Sequence, residues 1–162
     1  MSIQVHDGGT KSKERSQTYG EVFTPQWMVE KMCQMLEDAN PDCYVPETTF
    51  LDPACGEGQF PLEVLRRKFK NCKKKADFET AALSVWGFDI QADNVEICIQ
   101  NVLTLCRDTF RVSKALEEKI KYQYIMGDSL KIMPLLARYG EGNTLIYVRE
   151  AAGYGERKIQ ED

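Results

Sequence analysis

A single histidine, His6, stands in the whole chain, near the N-terminus among polar residues, so histidine-based acid–base chemistry has little support. None of the six cysteines (Cys33, Cys43, Cys55, Cys72, Cys98, Cys106) belongs to a C-x-x-C pair, and no zinc or other metal site is expected. An apolar signal core is missing from the first residues, and no later run is long and uncharged enough for a membrane helix. The cytoplasm is therefore the expected location, with thiols reduced; Cys33 and Cys98 fall on apolar helical stripes that suit burial. Basic residues are in deficit, 21 Lys and Arg against 25 Asp and Glu, for a formal net charge of -4. Such a chain is not a general nucleic-acid binder, although it can belong to a DNA enzyme whose basic surface comes from another domain or subunit. No two prolines are adjacent, and none follows Pro134.

What is present is an alternation of apolar segments. Residues 1–18 are polar, with Gly8 and Gly9, and are expected as a flexible tail. Thr24 as N-cap and Pro25 as first helical residue open a helix marked by Met28, Val29, Met32, Met35 and Leu36, ending before Asn40 and Pro41. Strands are expected over residues 48–52, 83–90, 122–126 and 144–148. Helices are expected from about Gln59, with Pro61 in the first turn, from Ala92, and over residues 129–137. The basic cluster from Arg66 to Lys75 reads as a solvated helix end, and Trp27 and Trp86 as core or interface residues. The expectation is one domain over residues 19–148 and a charged tail over 149–162. Its class is α/β, a mostly parallel sheet with helices on both faces. In such sheets ligands bind at the carboxyl ends of the strands, where Asp52, Asp89 and Asp128 all fall.

The first of these turns reads Asp52-Pro53-Ala54-Cys55-Gly56-Glu57-Gly58-Gln59-Phe60. Gly56 and Gly58 allow a sharp bend and close approach of a ligand. A dinucleotide fingerprint would place a third small residue at Pro61 and would not put an acid where a pyrophosphate lies. An acid there suits a ligand with a cationic end, as S-adenosylmethionine has. Asp89 can accept from both hydroxyls of a ribose, Ile90 can pack on an adenine face, and Asp128 can accept from the adenine amine. The plainer reading of each lone acid is a turn or helix-cap residue.

Asp52 to Phe60 resembles the first motif of amino-group DNA methyltransferases, and Tyr19-Gly20-Glu21-Val22-Phe23-Thr24-Pro25 resembles their tenth. Gly87-Phe88-Asp89-Ile90 and Gly127-Asp128-Ser129-Leu130 are similar to the second and third. The order, tenth before first, is that of type I modification subunits and some fused type II enzymes. The resemblance implies a Rossmann-like class I S-adenosylmethionine-dependent methyltransferase fold, truncated at its C-terminal side. It implies Phe23 and Thr24 at the methionine end of the cofactor, with Asp52, Ala54 and Gly56 around its amino and carboxylate groups and Gly58 also among the cofactor-binding residues. Asp89 and Ile90 fall to the ribose and adenine, and Asp128 to the adenine amine. Phe23 also reads as a core aromatic beside the first helix. The family's Asn/Asp-Pro-Pro-aromatic motif, which holds a flipped adenine, has no match, because residues 148–152 read Val-Arg-Glu-Ala-Ala. The implied function is the cofactor-binding portion of an adenine-N6 DNA methyltransferase, with DNA as partner in the full enzyme. The alternatives are a non-catalytic S-adenosylmethionine-binding module, or a methyltransferase acting on protein or RNA. The apolar strand at 144–148 would leave an open edge, which suggests a partner subunit or homodimer there.

Overall fold

The computed structural model describes residues 2–139. The strand expected at 144–148, the pairing of subunits through it and the tail at 149–162 lie outside the described residues. Helices α1 (Lys13–Tyr19) and α2 (Gln26–Ala39) precede strand β1 (Phe50–Asp52). Helices α3 (Gln59–Lys70) and α4 (Lys75–Ala82) lead to β2 (Val85–Asp89); α5 (Ala92–Thr109) and α6 (Lys114–Lys121) lead to β3 (Tyr124–Met126) and then α7 (Ser129–Tyr139). The strands pair in parallel in the order β1-β2-β3, with Asp52 opposite Gly87 and Asp89 opposite Met126. Parallel neighbours need a crossover, and the helices between strands supply it.

Side chains alternate across the sheet. Phe50, Val85 and Tyr124 turn to a larger core shared with Leu65, Cys98 and Val102 of α3 and α5. Leu51, Phe88 and Ile125 turn to the other face, where Ile132 of α7 completes a smaller cluster. Helices thus cover both faces of an α/β sheet. Gly87 is required by packing, since a Cβ there would lie 2.9 Å from Cys55 Cβ and 3.0 Å from the Tyr124 ring. All six cysteines are free thiols, and Cys33 and Cys98 are buried.

The structure departs from the sequence reading most at the N-terminus. Residues 2–18, expected as a flexible tail, lie against the domain: Ile3 and Val5 pack on the larger core, and Gly9 bridges Phe23. Ser12 caps α1 by accepting from the Arg15 amide. Helix α2 begins at Gln26 with Pro25 as cap residue, so Thr24 lies outside it; Asp7, distant in sequence, accepts the Gln26 amide at 2.7 Å. Helices α4 and α6 have no counterpart in the expectation. Asp77 starts α4 inside the lysine run by accepting from the Lys73 and Lys74 amides. In α6 only Leu116 and Ile120 are buried, too few for a visible period. These two helices also shorten the strands, because Leu83 and Tyr122 serve as their C-caps. Trp27 is exposed on α2, not in the core, and Trp86 is half-buried.

The basic helix end is also not simply solvated. Lys68 is fully buried, and its ammonium donates to the carbonyls of Val45, Pro46 and Thr48 at 2.6, 3.1 and 2.7 Å. It gathers the loop between α2 and β1, whose carbonyls have no regular ladder to join. Burial pushes its pKa down to about 8. Arg67 beside it pairs with Glu63 and Glu37 at 2.8 and 2.6 Å. Replacing Lys68 by Met should leave the Pro46 and Thr48 carbonyls without their donor, the Val45 carbonyl keeping the Thr48 amide, and cost about 2 kcal/mol, read as a lower urea midpoint. A midpoint equal to that of the unaltered chain would show that water already serves those carbonyls.

Candidate cofactor cleft

Because the strands are parallel, their carboxyl ends share one edge of the sheet. Asp52 ends β1, Asp89 ends β2, and Asp128 follows β3 by two residues. A cleft of about 580 Å³ opens along this edge, walled on its far side by the segment between α1 and α2. Eight of the residues singled out from sequence line it: Phe23, Thr24, Asp52, Ala54, Gly56, Asp89, Ile90 and Asp128. Gly58 does not; it lies behind the turn, where a Cβ would stand 2.9 Å from Cys98 Sγ at φ +98°. Its role is to let α3 pack against α5, not to line the cleft.

The turn after β1 is built on hydrogen bonds from its backbone. Cys55 donates to the Phe88 carbonyl at 2.8 Å, and Gly58 donates to the Cys55 carbonyl at 2.8 Å. Gly56, at φ +52°, donates to Asp89 Oδ2 at 3.0 Å. Asp89 also accepts from the Gln91 amide at 2.8 Å and lies 3.3 Å from the Asn94 amide nitrogen. Oδ1 is met by both Gln91 and Asn94, while Oδ2, met by Gly56 alone, keeps a second lone pair for a ligand. Asp128 Oδ1 accepts from the Leu130 amide at 3.0 Å, so the helix-start role weighed for it is present in the structure. Ile90 is half exposed at the cleft, while Phe23 is buried and faces Gly56, which unites its core and cleft readings.

Asp52 is the unusual acid. Its Oδ1 accepts from the Ala54 amide at 3.0 Å, but its Oδ2 is buried with no protein partner. Burial pushes its pKa up to about 6, nearby Asp89 adds to the rise, and the Ala54 amide opposes it.

Sequence reasoning missed Glu21 and Asn94, and gave His6 and Lys11 no place near the site. Glu21 lines the cleft; one of its oxygens is held by Arg15 and by Asn94 at 2.9 Å, and the other is buried without a protein partner. Asn94, buried in α5, thereby links Glu21 to Asp89. Behind the cleft Asp93 pairs with Arg15 at 2.7 Å and Lys11 at 3.0 Å, and the Arg15 bond leads in holding it well below the usual carboxylate range. Glu21 and Glu57 stood inside quoted motifs, but nothing local marked their partners.

The cleft is lined by four carboxylates, Glu21, Asp52, Asp89 and Asp128, and by no lysine or arginine among the described residues. No group of three or more His, Cys, Asp or Glu among the described residues is placed to hold a metal ion, and no helix among them is long and apolar enough to cross a membrane. The family model for N-6 DNA methylases matches residues 10–125. The chain belongs to the N-6 DNA methylase family. This N-6 DNA methylase-family chain is 28% identical over 134 residues to the type II methyltransferase M.VspI of Vibrio sp. (strain 343). The match covers 73% of the chain and 29% of that relative, so the chain spans under a third of its length. No solved structure matches it. The family match begins within the segment expected as a tail and ends before Asp128.

The raised pKa of Asp52 carries a sign. Its proton is held more tightly in the fold than in the unfolded chain, so its ionisation opposes folding as pH rises through about 6. Asp52→Asn should therefore stabilise the ligand-free protein at pH 8, on the order of 2 kcal/mol, and much less at pH 4. Thermal denaturation at the two pH values measures this, and an equal shift at both would refute the assignment.

Proposed function

We propose that this chain binds S-adenosylmethionine in the acidic cleft, as the cofactor-binding portion of an adenine-N6 DNA methyltransferase of restriction-modification type. The observation that carries the reading is the lining: carboxylates, two with buried oxygens that lack a protein partner, and no cation among the described residues. Such a wall repels phosphate and accepts from ammonium, hydroxyl and amine groups. It fits a ligand bearing an ammonium, a sulfonium, a ribose diol and an adenine amine, and it disfavours a pyrophosphate cofactor.

In this reading Phe23 and Thr24 wall the methionine end, and Asp52, Ala54 and Gly56 surround its amino and carboxylate groups, with Gly58 shaping the turn behind them. Asp89 accepts from the ribose hydroxyls, Ile90 packs on the adenine face, and Asp128 accepts from the adenine amine. When bound, the cofactor supplies an electrophilic methyl group. The strand order, with β1 at one side of a parallel sheet and the cleft at the carboxyl ends, supports a Rossmann-like class I arrangement. A location in the cytoplasm suits this reading.

Methylation of DNA belongs to the whole enzyme. Its chemistry requires acceptors for the amine protons of a flipped adenine and an aromatic ring stacked on the base. These residues contain no Asn/Asp-Pro-Pro-aromatic run, and the net charge of -4 gives little pull on a phosphate backbone. The same observation favours, as second reading, a module that binds the cofactor without transferring its methyl group.

Thermal shift should show stabilisation by S-adenosylmethionine and S-adenosylhomocysteine and none by NAD; stabilisation by NAD alone would sink the proposal. Asp89→Ala should weaken S-adenosylmethionine binding at least about tenfold, since each charge-assisted bond is worth roughly 1.5–3 kcal/mol. Unchanged affinity in a folded variant would reduce Asp89 to a brace for the Gly56 turn. The purified chain alone should transfer no labelled methyl to duplex DNA, and measurable transfer would contradict the division of labour drawn here.

A further inference from the structure

Glu57 stands between the two glycines of the cleft turn, yet its side chain points away from the cleft and is almost wholly buried. A buried carboxylate is costly unless paired and hydrogen-bonded. Its partners come from the N-terminal residues that sequence reading had set aside. The His6 backbone amide donates to Oε2 at 2.8 Å, the His6 ring donates from Nδ1 at 2.8 Å, and Lys11 Nζ lies 3.0 Å from Oε1. Burial works against the Glu57 carboxylate, but the bonds from His6 and Lys11 outweigh it and hold it below the usual glutamate range. The first residue of α3, Gln59, donates to the His6 carbonyl, and Asn101 of α5 donates to the carbonyls of Gln4 and Glu57 at 2.7 and 2.9 Å.

The same strap grips the opposite wall. The His6 ring stacks on Phe23 with centroids 4.9 Å apart, Lys11 lies 5.7 Å from that ring, and the Phe23 amide donates to the Gly9 carbonyl at 2.7 Å. Lys11 continues to Asn94 at 2.7 Å, beside Asp89. One short segment therefore also joins the Gly56–Gly58 turn, the Phe23 wall and the start of α5, which are distant in sequence.

We infer that His6 and Lys11 are positioning residues of the cofactor cleft, acting through Glu57 to hold the glycine turn against the Phe23 wall. The inference rests on the cofactor reading above. With the strap bonded, the turn is preorganised; with it loosened, the competent turn is only partly populated and apparent affinity falls by that fraction.

The test uses His6→Phe, which keeps a ring on Phe23 and the backbone bond to Glu57 but loses the ring bond to Glu57, together with Lys11→Met, Lys11→Arg and Glu57→Gln. S-adenosylmethionine affinity is titrated at a temperature where circular dichroism shows each variant folded. Amide exchange is followed at Gly56 and Gly58 in the ligand-free chain. His6→Phe and Glu57→Gln should each lower affinity about tenfold, and the double variant should be no worse than the weaker single. Lys11→Met should quicken exchange at Gly56 and Gly58 about tenfold with exchange at Gly87, bonded to Gln123 across the sheet, unchanged; Lys11→Arg should restore it. Losses that add, or unchanged exchange at both glycines, would overturn the inference and leave the strap merely stabilising. If the unaltered chain binds no S-adenosylmethionine, the cofactor reading fails, and the exchange rates still decide whether the strap holds the turn.

Discussion

The Asp89 carboxylate joins three stretches of chain at the edge of the sheet. It accepts from Gly56 in the turn after β1, from Gln91 at the start of α5, and lies within reach of Asn94 one turn further on. A parallel sheet aligns its strand ends but leaves the turns beyond them free to take many courses. Asp89 removes that freedom, because a carboxylate almost closed off from water must find donors, and the nearest are these amides. Asn94 carries the constraint to Glu21, and Arg15 to the helix before it. The cleft is the space these bonds leave open.

Gathering acids at one edge raises an electrostatic difficulty, and two different answers are visible. Glu57, Glu21 and Asp93 are met by Lys11 and Arg15, which stand outside the cleft on its N-terminal flank. Asp52 has no cation among its hydrogen-bonding partners, and burial raises its pKa. Cations placed behind the wall offset the acids there, while the cleft keeps free acceptors. This is an arrangement suited to receiving a positively charged ligand from the open side.

Periodicity made α2, α3 and α5 legible, since long amphipathic stretches such as Val95, Cys98 and Val102 bury one face. The glycine turn was equally plain, because Gly56 and Gly58 adopt left-handed backbone that few other residues tolerate. The short helices were not: Leu116 and Ile120 alone bury α6, and Asp77 caps α4 inside a run that reads only as charge. Lys68 looked like a neighbour of Arg66 and Lys70, and nothing in the run distinguishes the one whose ammonium is enclosed by three carbonyls.

The sequence by itself determined the alternation of strand and helix, the acids at the strand ends, the bend at the glycines and membership of a methylase family, all of which rest on neighbours within a few residues. Only the tertiary structure decided what those acids touch. His6 meets Glu57 across 51 residues, and Lys11 meets Asn94 across 83. Pairings at such separations depend on where packing brings two segments, and a polar, glycine-containing N-terminus carries no local pattern that records its docking site.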